Sequence, residues 1–455
     1  MKQRRKKPKK TLAQMQPQAP PGTVTIVRLA RGGHGVGYLG GLAVFVPRTT
    51  PGDVVDIRLV ESRRRYAFAE VITLRHPSPW RATPPCPLYD RCGGCHLQHI
   101  RYSRQLDSKT AQIRDCMERI GKLPEVPVAA TKGSPKAYAY RNKVLYHYDH
   151  HTKALGLIER GGERVVDIPR CLISDPRADA VMHGVRALTV VQPALHQVLR
   201  QVQVQVGQRT AEVLVTVIVS AALPTAVQRQ LWDRLHDLAT GLWMHVKTQD
   251  TPAVFHGSST LIAGAHAIHE RLGSQLLSIE PQTFLQVNPR QMERLYALVR
   301  EFAALQGHEV ILDLYSGAGA IALQLAAHCA QVYAVEVNRQ ASLLAMQQAR
   351  VQGVENCQFR TGKVERILYR YMAQGLHADL AILDPPRAGC RPEALRALTL
   401  MGVPRLIYIS CSPPTLARDL RLLHDLGYRT AGIYPFDMFP QTYHIECVAT
   451  LDRVV

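Results

Sequence analysis

The chain has 455 residues, 46% of them hydrophobic, and a formal net charge of +20 from 56 Lys and Arg against 36 Asp and Glu. It is long enough for roughly three domains, no apolar run is long enough to cross a bilayer, and ten cysteines in this length do not make a disulfide scaffold. So large a positive excess points to a polyanion, RNA or DNA, as partner. The first residues lack an apolar signal core, which makes the cytoplasm the expected compartment.

Residues 1–20 carry Lys2, Arg4, Arg5, Lys6, Lys7, Lys9 and Lys10 followed by glutamines and prolines, and are expected to form a disordered basic tail. Short β-rich runs follow at Thr23–Leu29, Ala43–Pro47, Val54–Val60 and Tyr66–Leu74. Glycines at 32, 33, 35, 37, 40 and 41 and the Pro51-Gly52-Asp53 turn separate them, the pattern of a small β-barrel over 21–76. Arg58, Arg63, Arg64 and Arg65 cluster on its later strands. The Gly-His-Gly-Val-Gly and Val-Phe-Val-Pro runs resemble the TRAM domain, an RNA-binding barrel.

Cys86, Cys92 and Cys95 lie within ten residues, the last two separated by Gly93 and Gly94, which let the backbone turn tightly around a metal centre. Zinc or a four-iron cluster would need a fourth thiolate, for which Cys116 and Cys171 are the candidates. Cys116 falls in an amphipathic helix over Ser103–Ile120 and is expected to be packed, whereas Cys171 follows the strand-like Val165-Val-Asp-Ile. Residues 77–275 read as a mixed α/β lobe. Within it, Tyr140-Arg141-Asn142-Lys143 opens a strand on which Arg141 and Lys143 are candidates for phosphate contacts, and Gln201-Val-Gln-Val-Gln-Val alternates as a half-buried strand does.

Residues 276–455 read as a Rossmann-like α/β domain. Val310–Leu314 is a buried strand, Ser316-Gly-Ala-Gly319 a turn that lets a ligand approach the backbone, Ala320–Ala330 a helix, and Val332–Val335 a second strand ending at Glu336, placed to take ribose hydroxyls. A third glycine near Ala322, which a dinucleotide fingerprint requires, is missing. Asp384-Pro-Pro-Arg387 ends a further strand, and Cys411 stands between a strand and a helix N-terminus, a setting that favours a thiolate. Glu446 is an acid in an apolar terminal run, a candidate proton acceptor.

The Asp313-Leu-Tyr-Ser-Gly-Ala-Gly, Phe284-Leu-Gln286-Val-Asn288, Asp384-Pro-Pro and Ser410-Cys411 motifs, with the cysteine spacing, resemble the class I RNA uracil-5-methyltransferase family, in its branch with a TRAM domain and an iron–sulfur cluster. The resemblance implies transfer of a methyl group from S-adenosylmethionine to carbon 5 of a uridine in RNA. It makes Cys411 the nucleophile and Glu446 the general base, with Gln286, Tyr315, Glu336 and Asp384 on the donor. Phe284 would stack on the target base, and Arg141, Lys143 and Arg387 are candidate RNA contacts. Cys86, Cys92, Cys95 and Cys171 would hold a [4Fe-4S] cluster, with zinc as the alternative.

The expected substrate is large-subunit (23S) ribosomal RNA and the expected state a monomer without membrane attachment. The alternatives are a transfer-RNA uracil-5-methyltransferase, a cytosine-5 enzyme disfavoured by the fit from Arg387 to Asp419, and a non-catalytic RNA-binding or ribosome-assembly factor. The sequence departs from the family at Ser316, where cysteine is frequent, at Gln348 and Gln352, where asparagine is usual, and at Ser412, where asparagine is the rule.

Overall fold

The computed structural model describes residues 22–249, 251 and 254–454; the basic tail lies outside them. The chain forms two compact units, one of residues up to 108 with 158–164 and 441–443, the other of 109–157, 165–440 and 444–454.

In the first unit, β1 (Gly22–Thr25), β2 (Arg28–Leu29), β3 (Gly35–Leu39), β4 (Leu42–Val46), β5 (Val54–Ser62) and β6 (Tyr66–His76) form one sheet in the order β1-β5-β6-β4-β3-β2. Alternation selects its inner face: Val44, Val46, Val55, Ile57, Ala67 and Ala69 are buried together, while Phe45, Tyr66 and Phe68 pack ring to ring on the other face at 5.4–5.7 Å. β3 was read only as turns, because its glycines resemble punctuation. They serve close approach instead: a Cβ at Gly35 would stand 2.1 Å from Thr49 Oγ1, and one at Gly37 would stand 2.8 Å from the Thr25 carbonyl. Of the four clustered arginines, Arg58 pairs with Glu70 and Arg63 with Glu61, while Arg64 and Arg65 are exposed.

The second unit holds two seven-stranded sheets. The helix α1 (Tyr102–Cys116) runs into a π-turn at Met117–Gly121, and Cys116 packs against the apolar core as expected. The first sheet is built from β7 (Lys143–Tyr148), β8 (Leu155–Ile158), β9 (Val165–Asp167), β10 (Leu199–Val206), β11 (Val213–Val219), β12 (Gly241–Lys247) and β13 (Gly257–Gly264). Helices α2 (Pro176–Val191), α3 (Pro193–Val198) and α4 (Thr225–Leu235) belong to the same lobe, and α2 and α4 bury Val181, Met182, Val185, Leu231 and Leu235 with Val202, Val204, Val215 and Val217 of the strands. A hairpin of β14 (Ile268–Leu272) and β15 (Gln275–Ile279) leads to α5 (Pro289–Ala303), whose N-cap Asn288 accepts from the Gln291 N–H.

The second sheet is β16 (Val310–Leu314), β17 (Gln331–Glu336), β18 (Cys357–Thr361), β19 (Leu380–Leu383), β20 (Arg405–Ser410), β21 (Tyr428–Phe436) and β22 (Glu446–Arg453), in the order β18-β17-β16-β19-β20-β22-β21. Its first five strands are parallel, joined through α6 (Ala320–Ala326), α7 (Arg339–Val351), α8 (Val364–Ala373) and α9 (Pro392–Leu400). After α10 (Pro413–Asp425), β21 and β22 return as an antiparallel pair. β16 matches its expected bounds, whereas α6 stops at Ala326, four residues short of the expected end. The order reverses between β16 and β19, so the ends of these strands form the crevice in which α/β sheets take ligands.

Candidate active site

Strand register brings five of the singled-out residues to one edge of the second sheet. Leu314 pairs with Val335 and with Leu383, so Tyr315, Glu336 and Asp384 follow at the ends of three neighbouring strands. On the antiparallel side Ser410 pairs with Cys447, and one further step sets Cys411 opposite Glu446. Across the edge the order is therefore Glu336, Tyr315, Asp384, Cys411, Glu446, on β17, β16, β19, β20 and β22. Adjacent strands lie about 4.8 Å apart, so the five positions fall along roughly 19 Å of sheet edge.

The glycine-rich turn is held by a set of backbone and side-chain bonds. Tyr315 has φ of +66°, a strained value for a residue with a side chain, and its N–H is held by the Val335 carbonyl at 2.9 Å. Gly317 N–H donates to Glu336 Oε2 at 3.0 Å and Asn338 N–H to Oε1 at 2.6 Å, so both carboxylate oxygens are oriented. Gln348 donates to the Ala318 carbonyl at 3.1 Å, and the Ser278 N–H donates to its side-chain oxygen at 3.0 Å. The substitution at 348 thus supports the turn from behind. Ser316 Oγ and Ser412 Oγ, the other departures at this edge, are buried without a hydrogen-bond partner in the structure.

Beside Glu336, three more carboxyls crowd the same edge. Asp313 is buried and accepts from the Ala322 N–H at 3.1 Å; burial, then the nearby Asp384 and Glu336, push its carboxyl up to about 7. Burial alone raises Asp384 to about 7. Glu446 is 1% exposed with Oε2 unpartnered, and is pushed well above the carboxylate range by burial and then by Asp384, with Arg387 opposing. The Cys411 thiol is pushed up to about 11, first by burial, then by Glu446; Arg387 pulls it down and Asp384 adds to the rise. The favourable helix start behind Cys411 is thus set against burial and the acids around the thiol. The sequence offers Asp313 only as the opening residue of the glycine-rich motif, with no role of its own.

Raised carboxyls hold protons that the unfolded chain releases. For Asp313, between pH about 4 and about 7, the folded state binds more protons, so its contribution to stability falls as pH rises through that window. Asp313→Asn keeps the acceptor for Ala322. It is expected to stabilise the ligand-free protein at pH 8 by on the order of 2 kcal/mol and to change little at pH 4, as read from urea midpoints.

The remaining candidates fall into two groups. Phe284 stands 72% exposed and Gln286 is half-buried beside it, in the segment leading to Asn288, whose side-chain amide reaches the Met438 carbonyl at 3.3 Å. Arg387 is exposed, 3.5 Å from His444 Nδ1. Arg141 and Lys143 correct the expectation of a strand facing phosphate. Arg141 Nε turns to the Lys143 carbonyl at 3.0 Å, and Lys143 Nζ turns inward to the Thr283 carbonyl at 3.2 Å. Burial lowers the Lys143 amine to about 8. Tertiary packing, which alternation along one strand does not report, draws the Lys143 amine inward.

In the first unit, Cys92 and Cys95 are buried and Cys86 half-buried. Gly94 N–H donates to Cys92 Sγ at 3.3 Å, and Arg160 donates to the Cys95 carbonyl at 2.6 Å. Cys171 belongs to the second unit, where its N–H donates to Asp179. All four thiols are free of disulfides. Among the described residues no three or more histidine, cysteine or acidic side chains are gathered as a metal site, so the structure does not display the expected ligand set. No described helix is long and apolar enough to cross a membrane.

Comparison with known proteins places this geometry. The family profile described as tRNA (Uracil-5-)-methyltransferase matches residues 101–454, and that of the TRAM domain matches 23–72. An uncharacterized RNA methyltransferase of Halalkalibacterium halodurans is 35% identical over 94% of this chain and 96% of its own length. One of Gloeobacter violaceus is 35% identical over 95% and 96%. The crystal structure of Pyrococcus abyssi tRNA (uracil-54, C5)-methyltransferase with S-adenosyl-L-homocysteine superposes with a TM-score of 0.75 at 25% identity, over 94% of this chain and all of that one. By family and relatives the chain is an S-adenosylmethionine-dependent RNA methyltransferase. Within that class the chain belongs to the tRNA (uracil-5-)-methyltransferase family, with a TRAM domain at its N-terminal side.

Proposed function

We propose that the protein methylates carbon 5 of a uridine in RNA through a covalent Cys411 adduct. The observation that carries this reading is the register that sets Cys411 opposite Glu446 at the sheet edge holding the glycine-rich turn. Carbon 5 of uracil is a weak nucleophile; a sulfur–carbon bond at carbon 6 turns the ring into an enolate. Cys411 supplies that bond. Carbon 5 then takes the methyl group of the sulfonium donor, Glu446 accepts the carbon 5 proton, and breaking the sulfur–carbon bond returns the thiolate. Gln286, Tyr315, Glu336 and Asp384 hold the donor, Phe284 stacks on the turned-out base, and Arg387 favours the thiolate.

Large-subunit (23S) ribosomal RNA is the proposed substrate, on the resemblance to the branch that joins a TRAM domain to the cysteine spacing. Transfer RNA is the second reading, favoured by the Pyrococcus abyssi neighbour, which acts on uracil 54 of tRNA. Incubating purified protein and labelled donor with each RNA, followed by nucleoside analysis, is expected to give 5-methyluridine in 23S RNA at a single position. Labelling of tRNA alone selects the second reading, and labelled 5-methylcytidine overturns both.

We also propose that Cys86, Cys92, Cys95 and Cys171 hold a [4Fe-4S] cluster that shapes the protein or its RNA surface and takes no part in transfer. The support is the donor set, four disulfide-free cysteines of which Cys92 already receives an N–H···S bond. Anaerobically purified protein is expected to contain about four irons and four sulfides per chain. Cys171→Ser should lower both, whereas Cys116→Ser should not. One zinc without sulfide refutes the cluster.

A further inference from the structure

The strand Leu199–Val206 has a glutamine face that an ordinary half-buried strand would turn to water. Here Gln203 and Gln205 are each 3% exposed, while Val202, Val204 and Val206 fill the opposite core. The polar face is covered by residues 280–283. Gln203 Nε2 donates to the Pro281 carbonyl at 2.7 Å and to Gln205 Oε1 at 2.9 Å. Gln205 Nε2 lies 3.4 Å from the Glu280 carbonyl and 3.5 Å from that of Thr283. Lys143, the register partner of Gln205 on β7, brings its amine to the same Thr283 carbonyl at 3.2 Å. Four residues on, Asn142 N–H donates to the Val287 carbonyl at 2.9 Å. The stretch Phe284-Leu-Gln286 is thus strung between two anchors on one sheet. Leu285 is tucked in at 8% exposed, and the Phe284 ring stands in the open. A large aromatic held this far out on a pinned segment is unusual.

We propose that Lys143, Gln203 and Gln205 are positioning residues for the reaction: by gripping the carbonyls of 280, 281 and 283 they make the central sheet the template that aims Phe284 and Gln286. The inference rests on the reading of those two residues as base and donor contacts. Apolar packing would tolerate sliding of the segment by part of a residue, whereas directional bonds to successive carbonyls fix its register. Lys143 is kept as an amine because its long stem reaches the carbonyl that Gln205 approaches from the other strand.

The test uses Gln203→Met with Gln205→Met, which keep volume and remove the donors, and Lys143→Met against Lys143→Arg. In the ligand-free protein, hydrogen–deuterium exchange of the 280–288 peptide is expected to quicken about tenfold in the methionine variants while peptides of β16 and β20 are unchanged. Turnover should fall and the KM for RNA rise. Phe284→Ala should cost less on the Gln203→Met/Gln205→Met background than alone, the signature of residues acting as a unit. Lys143→Arg should restore both exchange and turnover. Unchanged exchange at 280–288, or acceleration shared by the whole unit, overturns the proposal. Should Phe284→Ala by itself leave RNA binding and turnover as in the wild type, the role given to Phe284 falls instead, and the exchange result still judges the grip.

Discussion

Glu446→Gln is expected to accumulate a protein–RNA adduct on ordinary uridine RNA, carrying the donor's methyl label and surviving denaturing electrophoresis. Attack at carbon 6 and methyl transfer precede the step that needs a base, so the variant reaches the methylated adduct and stops where the carbon 5 proton must leave. Cys411→Ala should bind S-adenosylhomocysteine and RNA, give no adduct, and lose turnover by about 10⁴-fold or more. Cys390, another thiol near this edge, is not expected to stand in. It is 3% exposed, its N–H is tied to Asp419 at 2.8 Å, and its thiol is pushed up to about 12 by burial. Full turnover in Glu446→Gln, or a labelled adduct in Cys411→Ala, rejects the assignment of the residue concerned.

Lys109→Met is expected to destabilise the protein by about 3–5 kcal/mol in urea unfolding. Lys109 Nζ and Asp437 Oδ1 are 2.6 Å apart with both side chains fully buried, and Asp437 Oδ2 has no hydrogen-bond partner in the structure. Removing the amine leaves a carboxylate in the core with nothing to balance it. Lys109→Met with Asp437→Leu should recover most of the loss, because two uncharged side chains of similar size leave no orphan charge. A double variant as unstable as the single one shows that packing, and not charge, sets the cost. Asp437 opens the connection from β21 to Glu446, and its N–H is bonded to the Lys132 carbonyl at 2.9 Å. The ion pair therefore anchors the root of the segment that delivers the acid.

The parts of the fold that were legible in the sequence are those whose causes are local. Val310–Leu314 was readable because a strand buried on both faces must be apolar throughout, and Gly317 and Glu336 because a tight turn and an acid are scarce residue types at a fixed distance. The Cys411–Glu446 site was legible as two motifs, but their meeting depends on an antiparallel register between β20 and β22 that neither motif encodes. The hairpin of β14 and β15 escaped notice because its strands, at five residues each, are short and mixed in polarity. The packing of the Lys143 amine was not legible for a related reason: a strand's own residues are silent on which distant segment covers it. The surroundings of Cys411 were not legible, because burial and then Glu446 and Asp384, distant in sequence, act on the thiol beside the local helix start.

Glu336 is held by two backbone N–H groups of the protein itself. On the proposed reading it meets the ribose, a portion that donor and spent donor share. A socket already cast for that portion welcomes both visitors alike, so it gives the enzyme no means of telling a charged molecule from an exhausted one. Discrimination must then fall to the few atoms around the sulfur, near Asp384 and Cys411, and the pace of repeated rounds becomes a matter of how readily the emptied carrier departs.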